Sequence, residues 1–320
     1  MPGHTQQLMN VMGSGSLAVR HHPSVHIIVL NWNGWQDTVE CIAALQQLDY
    51  PDYHIVVADN SSTDGSEQHI RSAYPDIDLL QTGANLGYAG GNNVAIRHAL
   101  QHGAEYILIV NPDLVLESQA LHVLIQTAIA HPDIGALSPV VFYKDRPHDL
   151  WSSGTHIDWQ QGRITCDTTS PPPASFYPSE GAAGCCMLLS ARALQTVGLF
   201  DERYFLIHEE TDLCQRMLAA GFRVGFCTDV SVLHQGHSAL KNESPKQTYY
   251  STRNRLVFFR RHRTRHDVSP WLLLWRLSRQ DLLCLPIAKA LIRRDNRAFA
   301  RVYAYVDFVL ARLGRSPRYE

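Results

Sequence analysis

The sequence predicts an α/β fold in which a mostly parallel sheet is covered by helices on both faces, with a helical extension at its C-terminal end. From residue 25 onward, short apolar runs alternate with longer stretches of helical periodicity, which is the pattern of βαβ units. The runs at 26–30 and 106–110 are apolar almost throughout, as expected for strands buried on both faces.

Each predicted element follows from a local pattern. Strands rest on short apolar runs rich in β-branched residues, and helices rest on apolar residues spaced three and four apart. The predicted strands cover residues 26–30, 55–58, 77–80, 106–110, 134–141, 186–189, 223–226 and 230–233. The predicted helices of the same region cover residues 38–48, 67–74, 92–101, 121–130, 191–196 and 211–220.

Two segments depart from this alternation. Residues 144–184 hold few periodic apolar positions and predict a long loop or a small hairpin insertion, a feature that is often functional. After residue 246 the chain becomes helical and basic, and prolines at 270 and 286 divide it. The predicted helices there cover residues 247–265, 271–284 and 287–313.

Charge divides the chain of 320 residues unevenly. Residues 253–320 carry 16 Lys and Arg against five Asp and Glu, whereas residues 1–252 carry 12 against 25. The acidic body argues against a nucleic-acid partner. The basic end, with Trp271, Trp275 and neighbouring leucines, suits an anionic membrane surface, and packing on the acidic body is the alternative.

The cysteines and the hydropathy of the chain indicate in which cellular compartment the protein lies. The seven cysteines are sparse and form no C-x-x-C pair, which favours a reducing compartment. The longest apolar runs fall far short of the roughly 20 residues that span a bilayer. Residues 1–24 lack the apolar core of a signal peptide and predict a disordered leader. We therefore expect a cytoplasmic protein, with the inner face of the cell membrane as its peripheral attachment site.

Polar loops follow the first four predicted strands, at the edge where an open parallel sheet binds ligands. Asn31 and Asn33 follow the first strand, Asp59 the second, the segment 85–93 the third, and Asp113 the fourth. Any one of these loops is explained by turn formation alone. Four of them at one edge indicate a ligand site.

The segment 85–93 is rich in glycine, but its Gly87-x-x-Gly90-Gly91 spacing matches neither the dinucleotide fingerprint nor the P-loop. A glycine turn that enters a helix at Asn92 would still offer backbone N–H groups to a phosphate.

Two residues are candidate metal ligands. Asp113 lies directly after a hydrophobic strand, and a diphosphate beside it would require a divalent cation such as Mg²⁺ or Mn²⁺. A role in capping the following turn is the alternative. His234 follows the strand 230–233 and can bind a metal, although a single histidine is more often packed or solvated.

Glu209, Glu210 and Asp212 open a predicted helix, where the helix dipole alone favours acidic residues. Neighbouring side chains on a helix point about 100° apart, so at most one of Glu209 and Glu210 can serve one site as a base.

Several segments in a fixed order carry a family resemblance. They are VHIIVLNWNG at 25–34, VVADNSSTDGS at 56–66, NLGYAGGNN at 85–93, ILIVNPD at 107–113, GLFDERYFLIHEETDLCQRMLAAGFRV at 198–224 and VLHQGHS at 232–238. Together they resemble the inverting family 2 glycosyltransferases of the GT-A fold, and within them the bacterial rhamnosyltransferase-like enzymes that build surface polysaccharides. The resemblance implies a GT-A domain at 25–240, followed by a basic helical region at 241–320.

The resemblance also implies roles for single residues. It places Asp59 at the nucleotide base, with Asn31 and Asn33 nearby, and Asp113 and His234 at the metal. The segment that closes over the nucleotide sugar would include Asn85, Gly87, Gly90 and Asn92. Glu210 stands where the family usually has a catalytic Asp, and the Glu-Glu pair leaves open whether Glu209 or Glu210 is the base.

The function that the resemblance implies is transfer of a sugar with inversion, dependent on a divalent metal. The first choice of donor is dTDP-rhamnose, with UDP-sugars and GDP-sugars next. The acceptor would be a hydroxyl of a growing cell-surface glycan or of a lipid-linked glycan. Two alternatives are a nucleotide-dependent oxidoreductase and a catalytically silent glycan-binding protein.

Overall fold

A computed structural model of the chain describes residues 22–171, 174–235, 244–266, 268–279, 281 and 296–319. The strands are β1 (Val25–Asn31), β2 (Tyr53–Asp59), β3 (Asp78–Gln81), β4 (Tyr106–Val110), β5 (Leu114–Leu116), β6 (Ile134–Tyr143), β7 (Leu150–Ser152), β8 (Gly154–Asp158), β9 (Arg163–Asp167), β10 (Tyr177–Pro178), β11 (Cys186–Ser190) and β12 (Arg223–His234). The helices are α1 (Trp35–Leu45), α2 (Ser66–Ala73), α3 (Gly87–Gln101), α4 (Ala120–Ala130), α5 (Ala191–Val197), α6 (Glu209–Ala219), α7 (Pro245–His262), α8 (Pro270–Ser278) and α9 (Asn296–Val309).

The centre of the fold is a ten-stranded sheet whose main path runs β10-β12-β6-β11-β4-β1-β2-β3. Strands β4, β1, β2 and β3 are mutually parallel, and β6 is parallel to β12. Strand β11 runs antiparallel to both of its neighbours, β4 and β6. The predicted mostly parallel α/β sheet is therefore confirmed, and the carboxyl ends of β1, β2 and β4 meet at one edge.

Helices cover both faces of the sheet, because alternate residues of each central strand point to opposite sides. In β4, Leu108 and Val110 pack with α1, α2 and α4, whereas Ile107 and Ile109 pack with α3, α5 and α6. All four side chains are buried. This arrangement explains why β4 is apolar at every position.

Helix α3 begins at Gly87, five residues before the predicted start at residue 92. Glycine is disfavoured inside helices, so the sequence pattern hid this first turn. The structure shows what the glycines permit: a Cβ atom on Gly91 would lie 2.5 Å from Cδ1 of Leu30. Because Gly91 lacks that atom, α3 packs closely against β1.

Two further differences concern the second half of the sheet. The two strands predicted at 223–226 and 230–233 form one strand, β12, with a register shift between Cys227 and Ser231 where it pairs with β6. The segment 144–184 contains the antiparallel hairpin β8–β9, in agreement with the predicted insertion. The polar residues within β12 are thus accommodated by an irregular pairing and do not end the strand.

The basic C-terminal helices pack on the body of the protein. The Asp212 carboxylate in α6 is fully buried and accepts hydrogen bonds from Arg216 at 2.8 Å and Arg261 at 3.1 Å. It also lies 2.8 Å from Nε2 of His262. Arg261, which belongs to the basic C-terminal region, therefore helps to neutralise a buried acid of the body.

Parts of the predicted organisation lie outside the described residues, namely residues 1–21 of the leader and residues 282–295 of the C-terminal region. The predicted boundary between residues 240 and 241 also lies outside the described residues and stays a prediction. Over the described ranges, no helix combines the length and the apolar character that crossing a membrane requires.

Candidate active site

Asn31 and Asp59 end β1 and β2 side by side, in register. The Asn31 amide donates a hydrogen bond of 2.7 Å to Oδ1 of Asp59, and Thr38 of α1 donates to Oδ1 of Asn31 at 2.8 Å. Ser62 donates from its backbone N–H to Oδ2 of Asp59 at 3.2 Å. Asn31 and Asp59 are both buried, so this network fixes the Asp59 carboxylate at the edge of the sheet.

Asn33 links the first loop to the second. Its backbone N–H donates to Oγ of Ser62 at 2.9 Å, and its Oδ1 accepts from the backbone N–H of Thr63 at 2.8 Å. Asn33 and Ser61 both have positive φ angles, 53° and 60°. Asparagine tolerates this left-handed conformation better than most residues, which explains an Asn at this turn.

Asn60 joins these loops to the glycine-rich segment. Its amide nitrogen donates to Oδ1 of Asn85 at 3.2 Å and to the carbonyl of Gly87 at 3.1 Å. Its Oδ1 accepts from the backbone N–H of Leu86 at 2.9 Å. The structure therefore brings the predicted residues Asn31, Asp59, Asn85 and Gly87 into one hydrogen-bonded edge.

The start of α3 is tightly packed. A Cβ on Gly87, where φ is +72°, would lie 2.2 Å from the carbonyl oxygen of Phe205, and a Cβ on Gly90 would lie 2.6 Å from Cβ of Leu86. Asn92 is fully buried, its amide nitrogen donates to the carbonyl of Tyr88 at 2.9 Å, and its Oδ1 has no partner. The assignment of Gly90 and Asn92 to nucleotide-sugar binding stays a prediction.

Asp113 and His234 meet at the end of β12. Oδ1 of Asp113 lies 3.2 Å from Nε2 of His234, and both side chains are largely buried. The ring of Trp151, from β7, packs edge-on against the imidazole at a centroid distance of 5.0 Å. The inserted segment thus packs against one of the two candidate metal ligands.

The separation of these two atoms suits a shared divalent cation. A carboxylate oxygen and an imidazole nitrogen are both groups that bind divalent cations, and these two are close enough to bind the same ion. In the described part of the chain, no group of three or more His, Cys, Asp and Glu side chains is placed to hold a metal. Asp113 and His234 are therefore the two candidate ligands of a divalent cation.

Glu209 and Glu210 begin α6 but have different surroundings. Glu209 is 3% exposed and its Oε2 has no partner, whereas Glu210 is half-buried and accepts a hydrogen bond of 3.2 Å from the Thr211 hydroxyl. Burial raises the pKa of the Glu210 carboxyl, and burial together with the Glu210 charge raises the pKa of Glu209 further. Glu210 is thus the one of the two that solvent reaches.

The backbone at Gly184 and Cys185 connects the two ends of the site. A Cβ on Gly184 would lie 3.4 Å from Cγ of Glu210, and the Tyr88 hydroxyl donates to the Gly184 carbonyl. The Cys185 carbonyl accepts from the backbone N–H of Asn111 at 2.8 Å, at the start of the turn that bears Asp113. The candidate base, the glycine-rich segment and the candidate metal ligand therefore adjoin one short segment.

Comparison with known proteins decides the family. The sequence profile described as Glycosyl transferase family 2 matches residues 24–198, which is more than half of the chain. The chain belongs to glycosyl transferase family 2. The predicted family is confirmed, and the protein is a glycosyltransferase rather than an oxidoreductase.

Two curated proteins are similar in sequence to this glycosyltransferase. It is 31% identical over 209 residues to the N-acetylglucosaminyl-diphospho-decaprenol L-rhamnosyltransferase of Mycobacterium tuberculosis, covering 58% of this chain and 67% of that protein. It is 26% identical over 233 residues to the low-salt glycan biosynthesis hexosyltransferase Agl10 of Haloferax volcanii, covering 72% of this chain and 74% of that protein.

A solved structure supports the fold. The glycosyltransferase aligns with the mannosyltransferase PcManGT of Pyrobaculum calidifontis, which was solved with GDP-Man and Mn²⁺, at a TM-score of 0.57 and 18% identity. The alignment covers 93% of this chain and 78% of that one. At this identity the likeness shows the GT-A fold alone.

The structure adds site residues that sequence reasoning did not single out. Asn60, Ser62 and Tyr88 lie within loops that the sequence marked, so their proximity to the site was predictable although their contacts were not. Trp151 lies in the insertion, whose length was the only signal.

Proposed function

We propose that this glycosyltransferase transfers one sugar from a nucleotide diphosphate to an acceptor hydroxyl, with inversion at the anomeric carbon. The observation that carries the proposal is the position of Glu210, half-buried over Gly184 and adjacent to the glycine-rich segment. A carboxylate there can take the proton of an acceptor hydroxyl as that oxygen attacks the sugar. A single displacement of this kind inverts the attacked carbon.

The raised pKa of Glu210 supports its role as the base. A general base works best when its pKa lies near the working pH, because a more basic carboxylate accepts the proton more readily. Glu209 is buried and lacks a partner for Oε2, so it is protonated in a wider pH range and serves less well. We therefore assign the proton transfer to Glu210.

The cysteines near the site are not available as nucleophiles. Burial raises the pKa of Cys185, and it raises the pKa of Cys214 to about 12. A thiol is a good nucleophile only as the thiolate, so both are inert at neutral pH.

Asp113 and His234 are the residues proposed to hold a divalent cation, Mg²⁺ or Mn²⁺. When bound, such a cation offsets the negative charge that develops on a departing diphosphate. The contribution of this chain is to place one carboxylate oxygen and one imidazole nitrogen 3.2 Å apart, with Trp151 holding the ring.

The proposed donor is dTDP-rhamnose, and UDP-sugars and GDP-sugars are the next candidates. The rhamnosyltransferase of Mycobacterium tuberculosis supports rhamnose, and its name also supports a lipid-linked glycan as the acceptor. An acceptor of that kind would place the protein in the cytoplasm at the inner face of the cell membrane.

The test is release of nucleotide and formation of glycoside from a panel of dTDP-, UDP- and GDP-sugars, with and without EDTA. Thermal shifts with the three free nucleotides report donor choice without an acceptor, because a bound ligand stabilises the native state. We expect the largest shift with dTDP and a turnover that EDTA abolishes. Binding without turnover under all conditions would favour the silent glycan-binding alternative.

Helix α8 is the part of the C-terminal region that we propose meets the membrane. Leu273 and Leu277 are buried in the protein, whereas Trp271 is 80% exposed and Trp275, four residues later, is 55% exposed. The Arg279 guanidinium lies 5.5 Å from the Trp275 ring. Exposed tryptophans beside arginine complement an anionic lipid surface, where the ring enters the interface and the cation meets headgroups.

Some of the residues that the sequence predicted to face a membrane pack against the protein instead. Leu273 and Leu277 face the protein, and Arg276 donates to Oε1 of Gln160 at 3.2 Å. Residues 282, 283, 293 and 294 lie outside the described residues. The packing alternative is thus correct for one face of α8, and the proposal rests on the other face.

Co-sedimentation with liposomes tests this surface. The double variant Trp271→Ala with Trp275→Ala should lose binding to anionic vesicles at low salt, while Ile129→Ala, an exposed apolar residue of α4, should retain it. A wild-type chain that stays in the supernatant with anionic vesicles would refute the proposal.

A further inference from the structure

The segment Tyr204–His208, which leads into α6, has an unusual backbone. Three of its residues, Phe205, Ile207 and His208, have φ angles of 64°, 72° and 74°. None is glycine, and the left-handed region is unfavourable for residues with a side chain. Such a conformation persists only where the surroundings impose it, and it is concentrated at functional sites.

Asn254 of α7 supplies much of that constraint. Its side chain is fully buried, and the amide nitrogen donates to the carbonyl oxygens of Tyr204, Leu206 and Ile207 at 2.9, 2.6 and 2.8 Å. Its Oδ1 accepts from Nε of Arg253 at 3.0 Å. Because three acceptors face the nitrogen and a donor faces the oxygen, only one orientation of the amide satisfies the site.

The restrained segment touches both halves of the candidate active site. At Phe205 the carbonyl accepts from the backbone N–H of Ala89 at 3.3 Å and occupies the space beside Gly87. At His208 the segment caps α6, with the carbonyl accepting from the backbone N–H of Asp212 at 2.9 Å. A shift of this segment would therefore move the helix that bears Glu210 relative to the glycine-rich segment.

We propose that Asn254 is a positioning residue for the transfer reaction. Through the segment Tyr204–His208, it holds Glu210, the proposed proton acceptor on α6, in place relative to the glycine-rich segment. This inference rests on the proposed function. Asn254 acts through the backbone of other residues and is not itself a catalytic group. It makes the C-terminal region a structural part of the active site.

The proposal predicts which kinetic constant changes. The glycine-rich segment has its own anchor in Asn60, through the carbonyl of Gly87 and the N–H of Leu86. Loss of the Asn254 amide should therefore leave nucleotide affinity within about threefold of wild type. The turnover number should fall by about 10-fold or more, because small displacements of a reacting group are costly.

The experiment compares Asn254→Ser, which keeps one donor, and Asn254→Asp, which places an oxygen against three carbonyl oxygens. The control is Leu124→Ala, a fully buried apolar residue of α4 that lies in a core cluster containing neither Asn254 nor any residue of Tyr204–His208. For each protein we would measure Tm, nucleotide affinity by calorimetry, and kcat against pH per mole of nucleotide-binding sites. Normalising to binding sites removes the contribution of unfolded chains.

We expect Asn254→Ser to lower kcat at least 10-fold more than the control does, and to shift the acid limb of its pH profile, at a comparable loss of Tm. Asn254→Asp, where it folds, should lose more. A kcat for Asn254→Ser no lower than that of the control, with an unchanged pH profile, overturns the proposal. Absence of transfer by the wild-type protein would instead refute the proposed function.

Discussion

The imidazole of His234 and the carboxylate of Asp113 are 3.2 Å apart because a short antiparallel ladder brings their backbones together. His234 pairs with Leu114 of β5, the residue that follows Asp113. The Gln235 backbone N–H also donates to the Asp113 carbonyl at 3.2 Å. The pairing of β5 with β12 thus brings the two residues together.

Removal of Asp113 should abolish most of the transfer activity. Asp113→Ala takes away one of two proposed cation ligands, so we expect at least a 100-fold loss of kcat and a weaker dependence on Mn²⁺ concentration. Asp145→Asn, which changes an exposed acid that is not among the candidate site residues, is the control. Full activity of Asp113→Ala in the presence of excess chelator would contradict the metal assignment.

The two glutamates should respond differently to the same change. Glu210→Gln removes the proposed proton acceptor while preserving size, so kcat should fall about 100-fold or more with little change in donor affinity. Glu209→Gln should reduce kcat by much less. Steady-state kinetics over a range of donor concentrations separate the effects. The reverse order would assign the proton transfer to Glu209, and equal small losses would leave both as helix-dipole acids.

Glu209 should also make stability depend on pH. Its pKa is raised above the ordinary 4.5 by burial, so in the folded state it keeps a proton that the unfolded chain releases. Stability from this group therefore falls as pH rises from about 4.5 toward the folded pKa, with a slope of at most about 1.4 kcal/mol per pH unit.

Glu209→Gln removes this dependence, because the amide does not titrate. We expect urea unfolding to show a variant that is more stable than wild type at pH 8 and closer to wild type at pH 4.5. A variant less stable than wild type at both pH values would contradict the burial argument.

Gly87 and Gly83 form a matched pair for testing the tight start of α3. Both have positive φ, +72° and +75°, but a Cβ on Gly87 would meet Phe205 at 2.2 Å, whereas a Cβ on Gly83 meets nothing within 4 Å. Gly83→Ala should cost about 1 kcal/mol of unfolding free energy, from backbone strain alone. Gly87→Ala should cost more than twice as much and should weaken nucleotide binding. Equal costs would mean that Phe205 moves aside freely.

The sheet was predictable because its signals are local. Strands β1 and β4 are apolar runs buried on both faces, and the polar residues that follow them mark the ligand edge. The prediction of two separate strands in place of β12 was wrong. Thr228 and Asp229 are typical of a turn, but in the structure they lie within β12, where its pairing with β6 is irregular. Pairing partners decide such cases, and sequence periodicity does not contain them.

The site was predictable as a set of residues but not as a geometry. Asp113 and His234 were both candidates, yet only the ladder between β5 and β12 makes them neighbours. One feature of the sequence could have pointed to Asn254. It lies four residues after Tyr250 and four before Phe258, on a face of α7 that is buried in the structure. A polar residue in an apolar stripe indicates a specific partner, but the partner, around Tyr204, is set by tertiary packing.

The buried carboxylate of Asp212 limits how this enzyme can be recombined with its relatives. Its partners Arg261 and His262 lie beyond residue 198, where the family match ends, and so does Asp212 itself. A chimera joined between α6 and α7 would pair this acid with a foreign helix, and a buried charge without its partner is strongly destabilising. A chimera within the family therefore has to take α6 and α7 from the same parent.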